Sequence, residues 1–324
     1  MILIISDTFE QSTCKVIDWL LFFNKKYIVI TDKTLVDVIE IDIPKDFTIS
    51  INNQYIKYSE ICSVWYRRGF INICNVDINN KIENIEVAKA MSNTIKIENK
   101  SIEQYLNYML LRKKNVNNFL YSRVNKLLVL QKAFEIGLNI PNSVVTNDKN
   151  ILQNLQKNHK HLITKTIAEA SGFESENFLF TTYTEKVTKE LINTINDKFY
   201  HSFFQKQIDK KYEIRTFYLD GKCYSMAIFS QQNNKTKIDF RKYDNEFPNR
   251  NVPFKLPIMI ENKIKILMDS FNLNSGSLDF IYGTDSKFYF LEINPIGQFG
   301  MVSYPCNYNL EKKIAEFLSN NSHE

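Results

Sequence analysis

The sequence predicts an α/β protein of three lobes. A strand–helix–strand run opens the chain, a second such run begins near residue 125, and strands dominate the C-terminal part. At 324 residues the chain is long enough for two domains or three small ones.

Residues 2–5 (ILII) form a short apolar strand ended by Ser6 and Asp7. Val16, Trp19, Leu20 and Phe23 recur at i, i+3, i+4 and i+7, one face of a helix. Tyr27–Ile30 is a second strand, which completes a βαβ unit. Residues 47–51 and 54–58 flank Asn52-Asn53 and read as a hairpin, because Asn tolerates positive φ in a tight turn. Residues 62–66 (CSVWY) are a further strand that runs into Arg67-Arg68-Gly69. From 82 to 120 the pattern is helical and polar.

Leu127, Leu130, Gln131 and Phe134 line a helix that stops at Gly137. Pro141 leads into the strand 143–146, Asp148 can cap a short helix to about Lys157, and 162–165 is a strand. A loop over 168–176 follows, holding Gly172. Strands are expected near 201–208, 213–219, 223–230, 276–283 and 287–294, with helices near 258–271 and 308–319. Tyr218–Lys222 contains an Asp-Gly hairpin signal. The expected lobes are 1–120, 121–200 and 201–324, the last carrying a metal site.

Hydrophobic content of 44 % and charged content of 24 % are those of a folded globular protein. A net charge of +5 from interspersed residues does not announce nucleic acid, yet it allows a local basic site for an acidic substrate. The five cysteines (Cys14, Cys62, Cys74, Cys223, Cys306) form no CxxC pair, which points to a reducing compartment and away from a disulfide framework or a zinc site. Each is expected as a small buried hydrophobe. Trp19 and Trp65 are expected in the core. No segment reaches the ~18 consecutive apolar residues of a membrane span. The first residues read as a strand and not as a signal peptide, so a cytoplasmic protein with no membrane partner is expected.

Polar residues interrupt two late apolar strands. Ser277-Leu-Asp279-Phe280 lies on one, and Phe290-Leu-Glu292-Ile-Asn294-Pro295 on the next. Glu292 and Asn294 are two apart, so they project from one face. If the strands pair, Asp279 joins them. Two carboxylates and an amide oxygen suit Mg²⁺. Lys165 ends a strand before a Gly-bearing loop, and Arg215 alternates with apolar residues in 212–217. A strand-borne Arg presents a planar fork and a strand-borne Lys a point charge, both suited to phosphate oxygens. Arg67 and Arg68 are further cations at a strand end, open to substrate binding or to holding lobes together.

The order Lys165, residues 204–208 (FQKQI), Glu213-Ile-Arg215, Leu278-Asp-Phe280 and Glu292-Ile-Asn294 resembles an ATP-grasp ligase. Narrower segments are 64–68 (VWYRR), 122–126 (SRVNK) with 137–141 (GLNIP), 239–243 (DFRKY) and 294–299 (NPIGQF). These resemble the maturases of graspetides, the microviridin-type peptides, most of all the "grasp-with-spasm" peptide maturases. The resemblance spans essentially the whole chain. It implies ATP between the central and C-terminal lobes, with Gln205, Lys206, Gln207 and Ile208 offering main-chain groups to adenine and Lys206 standing where many relatives carry an acid. Glu213 joins Lys165 and Arg215 in nucleotide binding. Asp279, Glu292 and Asn294 hold Mg²⁺, Arg215 and Arg241 act in catalysis, and Arg241 and Lys242 bind the substrate acid, with Arg67 and Arg68 kept as candidates for a further substrate contact.

The implied reaction activates Asp or Glu side chains of a ribosomal precursor peptide as acyl phosphates, then joins them to Ser or Thr (ester) or Lys (amide) of the same peptide. The implied partners are that precursor, its leader docking near 177–186, and a second copy in a homodimer. Two alternatives stand beside this reading: a ligase that adds an amino acid to a peptide or protein terminus, and a non-catalytic nucleotide-binding module.

Overall fold

A computed structural model describes residues 1–74, 82–159, 161–168, 172–175, 178–181, 184–231 and 249–320. β1 (Ile2–Ile5) is apolar and buried on both faces, as an inner strand of a parallel sheet must be. α1 (Gln11–Phe22) buries Val16 and Leu20, and its first turn is capped by Glu10, which accepts from the Thr13 N–H. β2 (Tyr27–Ile30) lies parallel to β1. β3 (Leu35–Asp42), β4 (Asp46–Ile51) and β5 (Gln54–Lys57) then form an antiparallel meander. Asn52 and Asn53 turn the last hairpin with φ of 50° and 64°, the left-handed pair that a type I′ turn requires.

β6 (Ser63–Tyr66) pairs parallel to β1 on the side away from β2, and β7 (Asn72–Ile73) extends the meander sheet. α2 (Ile85–Leu111) and β8 (Lys114–Val116) complete a four-stranded parallel sheet of order β2-β1-β6-β8. The meander and the C-terminal part of α2 cover one face of this sheet.

α3 (Lys126–Glu135) starts at the Asn125 cap and stops before Gly137, whose φ is +84°. It packs against the third lobe, with Val129, Leu130 and Ala133 in one core with Ile214, Leu278 and Phe280. The central lobe contains a sheet and two helices, from β9 (Ser143–Asp148), α4 (Lys149–Asn158), β10 (Leu162–Lys165), β11 (Gly172–Ser175), β12 (Phe178–Thr181), β13 (Glu185–Lys186) and α5 (Lys189–Thr194) to β14 (Lys198–Lys206). The sheet order is β13-β10-β14-β9, and β11 and β12 form a separate hairpin. The expected loop over 168–176 therefore supplies a strand.

By sequence β14 groups with the C-terminal strands, but it pairs with β10 and β9. Residues 207–209 then connect it to β15 (Lys210–Leu219). β16 (Lys222–Phe229), β17 (Arg250–Phe254), α6 (Ile258–Ser270), β18 (Ser275–Gly283) and β19 (Phe288–Asn294) follow. The sheet is antiparallel, in order β17-β16-β15-β18-β19. α7 (Gly300–Ser303) and α8 (Leu310–Ser319) close the chain.

Each face of this last sheet has its own cover. Ile214, Tyr218, Leu278 and Ile293 face α3 and α6. Phe217, Leu219, Met226 and Ile228 face α7, α8 and the N-terminal sheet, in one core with Ile2, Ile4, Val16, Leu20 and Trp65. Trp19 packs half-buried on the edge of that core. The cysteines do not follow expectation: Cys306 is buried and Cys223 half-buried, but Cys14, Cys62 and Cys74 are exposed and all five are free. Cys14 lies on the outward side of α1, and Cys62 and Cys74 sit just outside short strands, so apolar character alone did not draw them inward. Among the described residues no helix is long and apolar enough to cross a membrane.

Arg67, immediately after β6, is 3 % exposed. Its guanidinium meets Glu10 at 3.1 Å and donates to the main-chain oxygens of Ile296 and Gly297 beyond β19. Of the two roles that its sequence position left open, this contact set is that of a clamp between lobes. Burial pushes the Glu10 carboxyl up, but the Arg67 charge and hydrogen bonds from Thr13 and Gln298 outweigh it and leave the group below its ordinary value. A carboxyl depressed in the fold stabilises it fully above the ordinary glutamate value of about 4.3. That stabilisation is lost as pH falls through the depressed folded value. Arg67→Ala strands a buried carboxylate, so a loss of about 3–5 kcal/mol is expected in urea unfolding at neutral pH. The difference from wild type should shrink as the pH is lowered into the acid range. An unchanged midpoint at neutral pH counts against the clamp.

Candidate functional site

A cleft opens between the central and C-terminal sheets. Its lining includes Lys165, Gln205, Lys206, Gln207 and Ile208 from one side and Glu213, Arg215, Asp279 and Glu292 from the other. The structure thus brings these sequence-selected residues to one place. Arg67 and Arg68 are not among its walls. Arg241 and Lys242 lie outside the described residues.

The C-terminal wall is a row across three strands. Arg215 is directly opposite Asp279, and Asp279 directly opposite Glu292. Directly opposed residues share a face, so the three side chains stand side by side. Glu213 and Asn294, two positions away along their strands, extend the same face. Arg215 Nη1 lies 3.2 Å from both carboxylate oxygens of Asp279. Glu292 Oε2 lies 3.2 Å from the ammonium of Lys126.

Asn294 Oδ1 is buried and receives no hydrogen bond. A buried amide oxygen without a donor is costly. Beside two carboxylates, it is the arrangement a hard divalent cation satisfies. Among the described residues no group of three or more His, Cys, Asp or Glu could hold a metal. A site here therefore has two carboxylates and an amide as its protein donors. The residues fit Mg²⁺.

Glu213 is 6 % exposed and pairs with Lys210, while Ser230 Oγ donates to it at 2.9 Å. Burial raises its carboxyl above the ordinary value, against the pull of Lys210 and Ser230 and with a further push from Asp279. Lys165 Nζ stands 5.7 Å from the centre of the Phe203 ring at the end of β10. Gln205 is buried and donates to Ser143 Oγ at 2.9 Å, so its side chain serves the sheet. The N–H groups of Lys206 and Gln207 donate to the carbonyls of Asn142 and His161.

Lys126 is a site residue that sequence reasoning did not assign. It bridges Glu292 and the carbonyl of Thr166, at 2.9 Å from the latter. A signal existed: it is the first residue of a helix, where the macrodipole disfavours a cation. A Lys at that place needs an acidic partner from elsewhere. Lys210, also unassigned, is the counter-ion of Glu213.

Glu292→Gln and Asn294→Ala should each weaken Mg²⁺-dependent binding of ADP by roughly 10-fold or more, as losses of metal ligands do. Titration calorimetry with and without Mg²⁺ reads this. Equal affinity with and without the metal in the wild-type chain would remove the metal assignment.

No family model matches the chain, and no curated protein matches it in sequence. Solved structures do. The macrocyclase MdnC from Microcystis aeruginosa MRC, bound with precursor peptide MdnA, is 25 % identical with a TM-score of 0.78, over 99 % of this chain and 100 % of that one. A Chryseobacterium gregarium RiPP-associated ATP-grasp ligase, in complex with ADP and a leader and core peptide, is 23 % identical with a TM-score of 0.79, over 98 % and 94 %. The ATP-grasp ligase PsnB, complexed with a phosphomimetic variant of a minimal precursor, Mg and ADP, has a TM-score of 0.68 at 14 % identity, over 98 % and 97 %. The chain thus shares its fold, over nearly its whole length, with ATP-grasp ligases and with a macrocyclase of a precursor peptide.

Proposed function

We propose that the chain is an ATP-dependent macrocyclase that closes rings in a ribosomally made precursor peptide. The observation that carries this is the row Arg215–Asp279–Glu292 in the cleft, with Asn294 two residues on along the same face, in a fold shared with peptide-bound ligases. A substrate Asp or Glu carboxylate attacks the γ-phosphorus of ATP, the β,γ-bridging P–O bond breaks, and ADP leaves. The product is an acyl phosphate. A Ser or Thr hydroxyl, or a Lys amine, then attacks the acyl carbon. Phosphate leaves with the bonding pair, and the nucleophile's proton passes to solvent. Each link converts one ATP to ADP and phosphate and removes the elements of one water from the peptide.

Two anions must meet, so this chain's task is positioning and charge neutralisation. Lys165, Arg215 and Lys126 face the phosphates. Asp279, Glu292 and Asn294 hold Mg²⁺, which supplies positive charge to the phosphate oxygens. With the N–H groups of Lys206 and Gln207 engaged, adenine recognition falls to the remaining main-chain groups of 205–208. Arg241 holds the substrate carboxylate in its charged form, because beside ATP an unpaired acid would take up a proton and lose its nucleophilicity. Lys242 supports it. The precursor's leader docks on the central lobe near 177–186, apart from the cleft. The chain works in the cytoplasm as a homodimer, for which the exposed Ile85, Val87, Met91 and Ile97 of α2 offer apolar surface.

The test takes as substrate any short peptide with Ser or Thr and Asp or Glu that a neighbouring reading frame is found to encode, made synthetically, with ATP and Mg²⁺. Loss of one water mass per link, matched by ADP release, is expected. A gain in mass would indicate amino-acid addition, and nucleotide binding without turnover a non-catalytic module. Arg241→Ala should abolish the water loss while ADP still binds. If Arg241→Ala instead weakens ADP binding, Arg241 is a phosphate ligand and the acid site lies elsewhere.

A further inference from the structure

A second crevice lies at the carboxyl ends of the N-terminal strands. The chain leaves β1, passes through α1 and returns as β2 on one side, while β6 lies on the other side of β1. This reversal is a topological switch point, the place where open parallel sheets leave a crevice for ligands. The crevice is lined by Asp7 and Phe9 after β1, Arg68 after β6, Lys15 on α1, Gln298 beyond β19 and Glu311 on α8.

Three observations beyond its shape mark it as built for a ligand. Glu311 is only 5 % exposed, Ser303 serves one of its oxygens at 2.5 Å, and Oε1 has no donor. Arg68 Nε is likewise buried without an acceptor. Phe9 holds a φ of +60° and is 88 % exposed. A bulky residue in left-handed backbone with its ring in solvent gains nothing from the fold, and such strain collects where binding repays it.

The crevice is tied to the metal strand. Gln298 is four residues past Asn294, accepts from Ser12 at 2.9 Å and donates to Glu10 at 3.1 Å. Ser277, the cross-strand partner of Asn294, reaches the Gln298 carbonyl at 3.5 Å. The path along β19 thus leads from the nucleotide cleft, past the metal ligands, into the crevice.

We propose that this crevice binds the stretch of the precursor that bears the attacking Ser, Thr or Lys. The inference rests on the macrocyclase reading. A nucleophile must reach the acyl carbon from a side that the nucleotide does not fill, and the crevice lies at the opposite end of the metal strand from the adenine segment. Its lining matches a peptide: Glu311 lacks the hydrogen that a hydroxyl or ammonium brings, Arg68 lacks the acceptor that a main-chain carbonyl brings, and Phe9 offers an apolar face.

Because Phe9 is exposed, a photoreactive p-benzoylphenylalanine can replace it without disturbing the core. The full chain, ADP, Mg²⁺ and the synthetic precursor are irradiated, and the adduct is mapped by mass spectrometry. Crosslinks on the Ser-, Thr- or Lys-bearing stretch of the core are expected. Arg68→Ala should raise the KM for the precursor by about 10-fold and that for ATP by less than about twofold. Crosslinks confined to the leader, no crosslink to a peptide that still binds, or an unchanged precursor KM in Arg68→Ala would overturn the site. A wild-type chain that forms no rings but still gives the expected crosslink overturns the macrocyclase reading and leaves the crevice as a peptide site.

Discussion

The buried pair of Arg67 and Glu10 is the constraint on which the site geometry depends. One guanidinium joins the end of β6, the start of α1 and the main chain beyond β19. Those carbonyls lie two and three residues past Asn294. The same stretch is pinned by Gly297, where an added Cβ would come within 2.8 Å of the Ser277 side chain. A buried ion pair is a weak source of stability, since taking both charges out of water costs about as much as their attraction returns. What it supplies here is register. The exit of β19 is held against the N-terminal sheet only a few residues past Asn294.

A second constraint is charge balance. Strands of this kind bury apolar residues, and on one face of the C-terminal sheet Phe217, Leu219, Met226 and Ile228 do so. Farther along the same face stand Glu213, Arg215, Asp279 and Glu292. Each acid has a cation: Lys210 for Glu213, Arg215 for Asp279, Lys126 for Glu292. Those pairings keep a half-buried set of like charges from repelling one another. In the proposed reaction Mg²⁺ would be held by Asp279, Glu292 and Asn294, and Arg215 and Lys126 would then be freed for phosphate oxygens, so the charge balance of the cleft would be kept.

Much of this was legible in the sequence, for local reasons. Asn52-Asn53 encodes its turn in two residues, Asp148 caps the helix that follows it, and Gly137 ends α3. The meeting of Asp279 with Glu292 was legible because a carboxylate set in an apolar strand is costly unless a partner or an ion compensates it. Long-range choices were not legible. β14 reads like its C-terminal neighbours, yet its partners are β9 and β10, and strand pairing leaves no mark in a single strand. β8 has three residues, too few for a period. Lys126 carries no local mark of its partner, because its acid lies more than 160 residues on, at Glu292. Arg67 and Arg68 are neighbours of identical type, and only the fold separates a buried clamp from a crevice wall.

The place of α8 bears on how the chain comes to be folded. One face of the first sheet is covered by the last helix: Leu310, Ile314, Ala315 and Leu318 share a core with Ile2, Ile4 and Trp65. Ser63 in β6 donates to the carbonyl of Leu318 at 2.8 Å, and Lys114 in β8 to that of Asn320 at 3.0 Å. During synthesis the first sheet therefore emerges from the ribosome with an apolar face that α1 covers only in part until residues 310–318 have been made. Domains that fold as they are synthesised usually finish the N-terminal one first. Here the N-terminal lobe is sealed only after residues 310–318 emerge, and until then the part of that face that α1 leaves open can stick to other chains.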